Sequence, residues 1–272
     1  MLIRHVDLKG ALVDVRISEG VVSEVGLNLE HDDEVIFEGD GGALLPGLHD
    51  HHIHLNASAA AMASVKCGPP DVLASDSLLR ALNEAKGDFI RGVGYHHSVA
   101  GEIDRVWLDT HGPDKPIRIQ HRSGRLWILN SLAMQVYDLN QPHDGRLLDS
   151  DFKLKVRSEF PDLKPLINRL LSYGITGVTE VTPSNGQSEF RNYLNKANPL
   201  KLCVMGNAEL SDLVDKQIGP LKLHYHDYNL PALEDLALEI EAAHLAGRNI
   251  AAHCVTRAEL MLTPCSARTG RG

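Results

Sequence analysis

Cysteine is scarce in this chain. Its 272 residues include four, Cys67, Cys203, Cys254 and Cys265, widely separated and without a C-x-x-C pair. That spacing excludes a disulfide-stapled scaffold and a zinc–thiolate site, and leaves the four as small buried hydrophobes. Basic charge is also in deficit: 27 Lys and Arg stand against 36 Asp and Glu, a net charge of -9. No basic surface is left over for a nucleic-acid partner. No apolar run approaches the roughly 20 residues of a membrane-spanning helix. The opening Met1-Leu2-Ile3-Arg4-His5 lacks the apolar core of a secretory signal, so a cytoplasmic protein with no membrane partner is expected. Internal repeats and low-complexity linkers are missing as well. What is present is ordinary in bulk, 43% apolar and 23% charged, with length enough for one barrel domain or two smaller ones. Histidine is the exception: fifteen are many for this length, and several fall at the ends of apolar runs. They direct the search to metal.

Residues 1–45 hold short alternating runs such as Leu12-Val13-Asp14-Val15-Arg16-Ile17, cut by turn signals at Ser18-Glu19-Gly20 and Gly39-Asp40-Gly41-Gly42. They read as a small β-rich region. From 46 to 272 the rhythm changes to buried strands followed by helices, clearest near the end. Pro220-Leu221-Lys222-Leu223-His224-Tyr225 reads as a strand, and Pro231 opens a helix with Leu233, Leu236, Ala237, Ile240 and Ala243 on one face. Gly247 ends that helix, and 249–255 is a strand again. Strand, helix and strand with such short joints make a βαβ unit whose strands are parallel. Strands at 174–181, after an apolar helix through Leu166, Ile167, Leu170 and Leu171, and at 200–205 add two more; 48–55 is the fifth. Between 48–55 and 174–181 lies an insert over about 56–160, with strands of its own at 89–94 and 117–120. The expected fold is an α/β, TIM-like barrel with about five of its eight strands present, carrying this insert and a β-rich leader.

The histidine cluster sits on the first of those strands, in Leu48-His49-Asp50-His51-His52-Ile53-His54-Leu55. Residues two apart on a strand share a face, which groups Asp50, His52 and His54 on one side. Two imidazoles fixed on one strand chelate a divalent ion with little loss of entropy, and Asp50 stands where a carboxylate could brace them. An H-x-H pair alone is equally a pair of packed histidines. Here it closes an apolar strand entered through Pro46-Gly47, and later strands also carry polar residues near their carboxyl ends, where barrel enzymes gather their catalytic groups.

The run Leu45-Pro46-Gly47-Leu48-His49-Asp50-His51-His52-Ile53-His54-Leu55 resembles the P-G-hydrophobic-x-D-x-H-x-H signature of the amidohydrolase superfamily. Gly94-Tyr95-His96-His97, Trp107-Leu108-Asp109, Pro116-Ile117-Arg118-Ile119 and Asn130-Ser131-Leu132-Ala133 resemble the insert of amidohydrolase family 3, which includes N-substituted formamide deformylase-like enzymes. Gly174-Ile175-Thr176-Gly177-Val178 is similar to that family's second-strand pattern, so the likeness extends to about residue 260. It implies a metal-dependent hydrolase barrel acting on carbon–nitrogen bonds other than peptide bonds, with a small amide or N-acyl or N-formyl amine as substrate and a divalent metal, Zn2+, as cofactor. Carried onto this chain, the metal ligands are His52, His54, Lys222 (a lysine that relatives can carboxylate) and His253. His121 stands near a glycine-histidine element that faces the substrate in relatives, and His224, on the same strand face as Lys222, is a candidate substitute ligand or substrate contact. His226-Asp227 departs from the acidic pair often found there.

After Val255 only 17 residues follow, and Pro264 and Ser266-Ala267-Arg268-Thr269-Gly270-Arg271-Gly272 abandon the apolar pattern behind the capping box Thr256-Arg257-Ala258-Glu259. The resemblance then implies a C-terminally truncated member, weak or inactive as a lone chain, without the sixth-strand histidine, the eighth-strand aspartate that serves as general base, or the strands that complete a composite β-sandwich with residues 1–45. An open sheet exposes edges that another chain would cover, a second copy of this one included. Two alternatives remain: a non-catalytic fragment acting as an interaction partner, and a metal-dependent deoxyribonuclease, which the charge of -9 and the long insert oppose.

Overall fold

The computed structural model describes residues 1–31, 33–149, 154, 160–225 and 229–262. The chain opens with strands β1 (Leu2–Leu8), β2 (Ala11–Ser18), β3 (Val21–Gly26) and β4 (Ile36–Glu38), arranged in one sheet in the order β3-β2-β1-β4. β1, β2 and β3 meander antiparallel, and β4 joins β1 in parallel. Both hairpins close on two residues with positive φ, Lys9-Gly10 (57° and 87°) and Glu19-Gly20 (52° and 79°). This is the turn whose twist matches that of the strands it joins. Ile3, Val6 and Val15 face a small core. Val21, Val22, Leu27, Val35 and Phe37 stay exposed, so much of this sheet's apolar surface is open.

Strand β5 (Leu48–Ile53) and helix α1 (Leu55–Met62) follow. The Pro46-Gly47 entry is a packing requirement: a Cβ on Gly47 would stand 2.1 Å from Thr176 Oγ1. The chain then builds a second sheet. Its elements are β6 (Val65–Lys66), α2 (Ser75–Asn83), β7 (Ile90–Tyr95), α3 (Arg105–His111), β8 (Ile117–His121), β9 (Leu126–Leu129), α4 (Ser131–Val136) and β10 (Arg146–Leu148), with strand order β10-β9-β8-β7-β6. One face packs Ile90, Ile117, Ile119 and Ile128 against Leu78 and Leu82 of α2; the other buries Trp127, Leu129, Met134 and Leu147. Asp104 and Asn130 cap α3 and α4 by accepting the Trp107 and Ala133 N–H groups.

The remaining elements return to the first parallel sheet. They are α5 (Lys164–Ser172), β11 (Ile175–Glu180), α6 (Gln187–Lys196), β12 (Lys201–Gly206), β13 (Ile218–His224), α7 (Leu233–Leu245) and β14 (Ile250–His253). With β5 they form a curled half-barrel in the order β14-β13-β12-β11-β5, every pair parallel. All five expected strands are present. Leu166, Ile167 and Leu170 of α5 and Phe190 and Tyr193 of α6 pack on Ile53, Val178 and Val204; Leu236, Ile240 and Ala243 of α7 pack on Leu221 and Leu223. Alternation then turns Thr179, Cys203, Lys222, His224 and His253 to the face away from the helices.

Cys67 is fully buried, as a small hydrophobe would be, and burial pushes its thiol up to about 12; Cys203 and Cys254 are half-buried. Cys265, His226-Asp227 and the tail from Pro264 lie outside the described residues. The capping box is formed, with Thr256 N–H donating to Glu259 Oε2 (3.1 Å) and Glu259 N–H to Thr256 Oγ1 (3.3 Å). Among the described residues no helix is long and apolar enough to cross a membrane.

Candidate metal-binding edge

Two expectations for the histidine strand need correction. The strand stops at Ile53, and His54 is the residue before the first turn of α1, with Leu55 buried beneath it. The pairing with β11 also slips by one residue, because Asp50 lies opposite Val178 while Ile53 lies opposite Glu180. Three steps along β5 therefore match two along β11, which is a bulge. It breaks the simple alternation, so Asp50 shares its face with Ile53 on the helix side. His52 and His54 still stand together, with ring centroids 5.7 Å apart. Asp50 instead accepts the His52 backbone N–H at 2.9 Å, bracing the bulge.

His54 is fixed from the segment just after β11. Its Nδ1 lies 2.7 Å from Thr182 Oγ1, which leaves Nε2 as the ring's outward nitrogen. Behind it sits Glu180, fully buried, whose carboxylate accepts the N–H of Leu55, the N–H of Thr182 (2.8 Å) and the side-chain amide of Asn185 (3.2 Å). His54 makes no side-chain cap to α1, so the Glu180 carboxylate is what meets the first turn of that helix, where negative charge is favoured. The His54 imidazole is held below its ordinary pKa. Burial is the main cause; Glu180 opposes it, and the charges of His52, Lys222 and His253 add to it. Four strands thus act on this ring.

Lys222 and His253 reach the same edge from β13 and β14. Burial lowers the Lys222 ammonium, and no carboxylate pairs with it among the described residues. His253 is in register with His224, their ring centroids 4.6 Å apart. The donor set suits a divalent ion in kind, with imidazoles, which bind such ions through a ring nitrogen, and an amine whose charge burial disfavours. In placement, the fit extends as far as the pair: among the described residues no three His, Cys, Asp or Glu side chains stand close enough to hold an ion without moving. His121 lies elsewhere, at the end of β8 in the second sheet.

The structure adds residues that the sequence did not single out. His49 packs against His51 (centroids 4.4 Å) and bonds through Nε2 to Thr179 Oγ1 at 2.8 Å. Gly177 makes room for it, because a Cβ there would be 2.5 Å from His49 Nδ1. Replacing Gly177 with alanine therefore forces the His49 ring off Thr179. We expect Gly177→Ala to lose about 1–3 kcal/mol in urea unfolding, with the His49 ring resonances shifted in NMR spectra. Nothing local ties Glu180 and Thr182 to the histidine strand, since Leu55 and His54 lie 125 and 128 positions away in sequence.

No family model matches the chain. Over 218 residues it is 25% identical to the N-substituted formamide deformylase of Arthrobacter pascens, an alignment that takes in 65% of this chain and 40% of that protein. The chain therefore spans well under half of that curated relative. Two solved structures share its fold: an uncharacterized metal-dependent hydrolase from Pyrococcus horikoshii OT3 (TM-score 0.72, 16% identity, 98% of this chain and 68% of that one) and another from Pyrococcus furiosus (TM-score 0.70, 15% identity, 99% and 70%). The chain has an amidohydrolase-like fold, the architecture of these metal-dependent hydrolases.

Proposed function

We propose that this chain is a cytoplasmic metal-dependent hydrolase of small amides, acting on carbon–nitrogen bonds of N-acyl or N-formyl amines. The observation that carries the reading is the adjacent pair His52 and His54 at the carboxyl edge of a parallel half-barrel, with His54 Nδ1 anchored on Thr182. A ligating histidine is oriented through its other nitrogen in this way. The similarity to a formamide deformylase supports the bond class. In this reading His52, His54, Lys222 and His253 would hold a divalent ion, Zn2+, and His224 would contact substrate, whereas His121, expected to do so as well, stands on the second sheet. Such an ion supplies Lewis acidity toward the scissile carbonyl. The chain's own residues fix the geometry: Thr182 and Glu180 hold His54 in place, and Asp50 holds the backbone at His52.

The test is zinc titration of metal-stripped protein, followed by hydrolysis of N-formyl amines. We expect stoichiometric binding that weakens more than about 100-fold in His52→Ala and His54→Ala, beyond the 10- to 100-fold that loss of a supporting partner costs. Zinc affinity indifferent to both substitutions overturns the site. Tight zinc binding with no turnover overturns the hydrolase assignment and favours a non-catalytic role.

A further inference from the structure

The second sheet carries a cavity of its own, about 270 Å³, at the carboxyl ends of β7 and β8. Those strands are parallel neighbours, Tyr95 in register with His121, and each ends in the same three-residue turn: His96-His97-Ser98 and His121-Arg122-Ser123. In both turns the serine backbone N–H points at the histidine Nδ1 two residues earlier (3.3 Å and 3.1 Å), and the serine hydroxyl lies 2.8 Å and 3.0 Å from it. A backbone N–H can only donate, so Nδ1 accepts and the proton of each neutral ring sits on Nε2. The His121 ring lines the cavity, and with Nδ1 occupied it offers a ligand an N–H.

The rest of the lining is divided by chemistry. Ile103, Leu126 and Ile128 make an apolar wall, while His97, Glu102 and Arg146 sit with His121 on the polar side. The Arg146 guanidinium pairs with Glu102, which is two-thirds exposed. Burial and the nearby cations Arg122 and Arg146 keep His121 below its ordinary pKa, though Glu102 opposes them. The polar side therefore holds two imidazoles and one guanidinium, whose anionic partner among the described residues is a solvent-facing carboxylate that a ligand can displace. A guanidinium fork with N–H donors beside it is the arrangement that recognises a carboxylate, and the volume lies at the small end of ligand pockets.

We propose that this cavity binds a small carboxylate with an aliphatic tail, the carboxylate replacing Glu102 on Arg146 and accepting the His121 Nε2–H while the tail lies on Ile103, Leu126 and Ile128. The site belongs to the second sheet alone and stands or falls independently of metal at the histidine edge. Hexanoate is the probe, titrated by calorimetry and ligand-observed NMR into the full chain held metal-free with chelator, with hexanol and hexylamine as comparisons. Hexanoate is expected to saturate one site and to bind at least tenfold better than either comparison. Arg146→Met should weaken it by about tenfold or more, as loss of a charge-assisted pair does. Glu102→Gln should tighten it about threefold, because the competing carboxylate is gone; misfolding cannot produce a gain. Equal binding of hexanol, preference for hexylamine, or weaker binding in Glu102→Gln each overturns the proposal.

Discussion

Arg248→Ala is expected to lower the unfolding free energy by about 3–5 kcal/mol, from several buried acceptors left unpaired at about 1–3 kcal/mol each, read from the urea midpoint. Arg248 is 7% exposed and uses its whole fork on one knot of backbone. Nε donates to Gly219 O (3.1 Å), Nη1 to Asn207 O (2.8 Å) and Ser211 Oγ (3.0 Å), and Nη2 to Gly206 O (3.3 Å) and Pro220 O (3.0 Å). One side chain at the start of β14 thus ties down the end of β12 and the entry to β13. Its own position is set by the end of α7, where Gly247 takes φ 73° and the N–H groups of Gly247 and Arg248 reach back to His244 O and Ala243 O, a Schellman closure. Alanine leaves four carbonyls without this donor and a cavity among them. Arg248→Lys keeps the charge but has three N–H donors and no planar fork, so it should recover less than half of the loss. A loss below about 1 kcal/mol in Arg248→Ala would mean that water replaces the fork and that the knot is not what aligns β12, β13 and β14.

Arg248 also marks where sequence reading stops. Periodicity exposed the strand–helix–strand unit around it, with Gly247 as the helix stop, because those signals lie within a few residues of one another. The five acceptors of the guanidinium lie 28 to 42 positions upstream, and nothing local announces them. The histidine strand divides in the same way. Proline, glycine and the H-x-H spacing placed the pair, but strict alternation misassigned Asp50, since the bulge depends on the register with β11. The short strands β6, β9 and β10, two to four residues each, were too brief to show a period of two. His121 was singled out by resemblance, while Glu102 and Arg146 became its neighbours only when β7, β8 and β10 came together. Runs and spacings are legible in a sequence; registers and long-range acceptors are not.

Glu180 offers the second large effect, and a way to separate holding the fold from holding the ligand. Glu180→Ala strands the buried N–H of Leu55, the partly buried N–H of Thr182 and the Asn185 amide, so about 3 kcal/mol or more of stability should be lost, from unsatisfied donors at about 1–3 kcal/mol each. Glu180→Gln keeps the shape but turns one acceptor into a donor facing donors, and should fall between alanine and the native residue. Those losses alone do not connect Glu180 to His54. Thr182→Val does, because it removes only the hydroxyl that meets His54 Nδ1 at 2.7 Å and leaves the Thr182 N–H on Glu180. We expect Thr182→Val to change unfolding by less than about 1 kcal/mol while weakening zinc by 10- to 100-fold, the cost of losing a partner that orients a ligating histidine. In the metal-free protein the same variant should free the His54 ring, seen as a changed Nδ1 chemical shift. Unaltered zinc affinity with a shifted His54 resonance would show that His54 is held by Thr182 for packing alone, and the metal reading of the edge would then lose its support at the residue best placed to carry it.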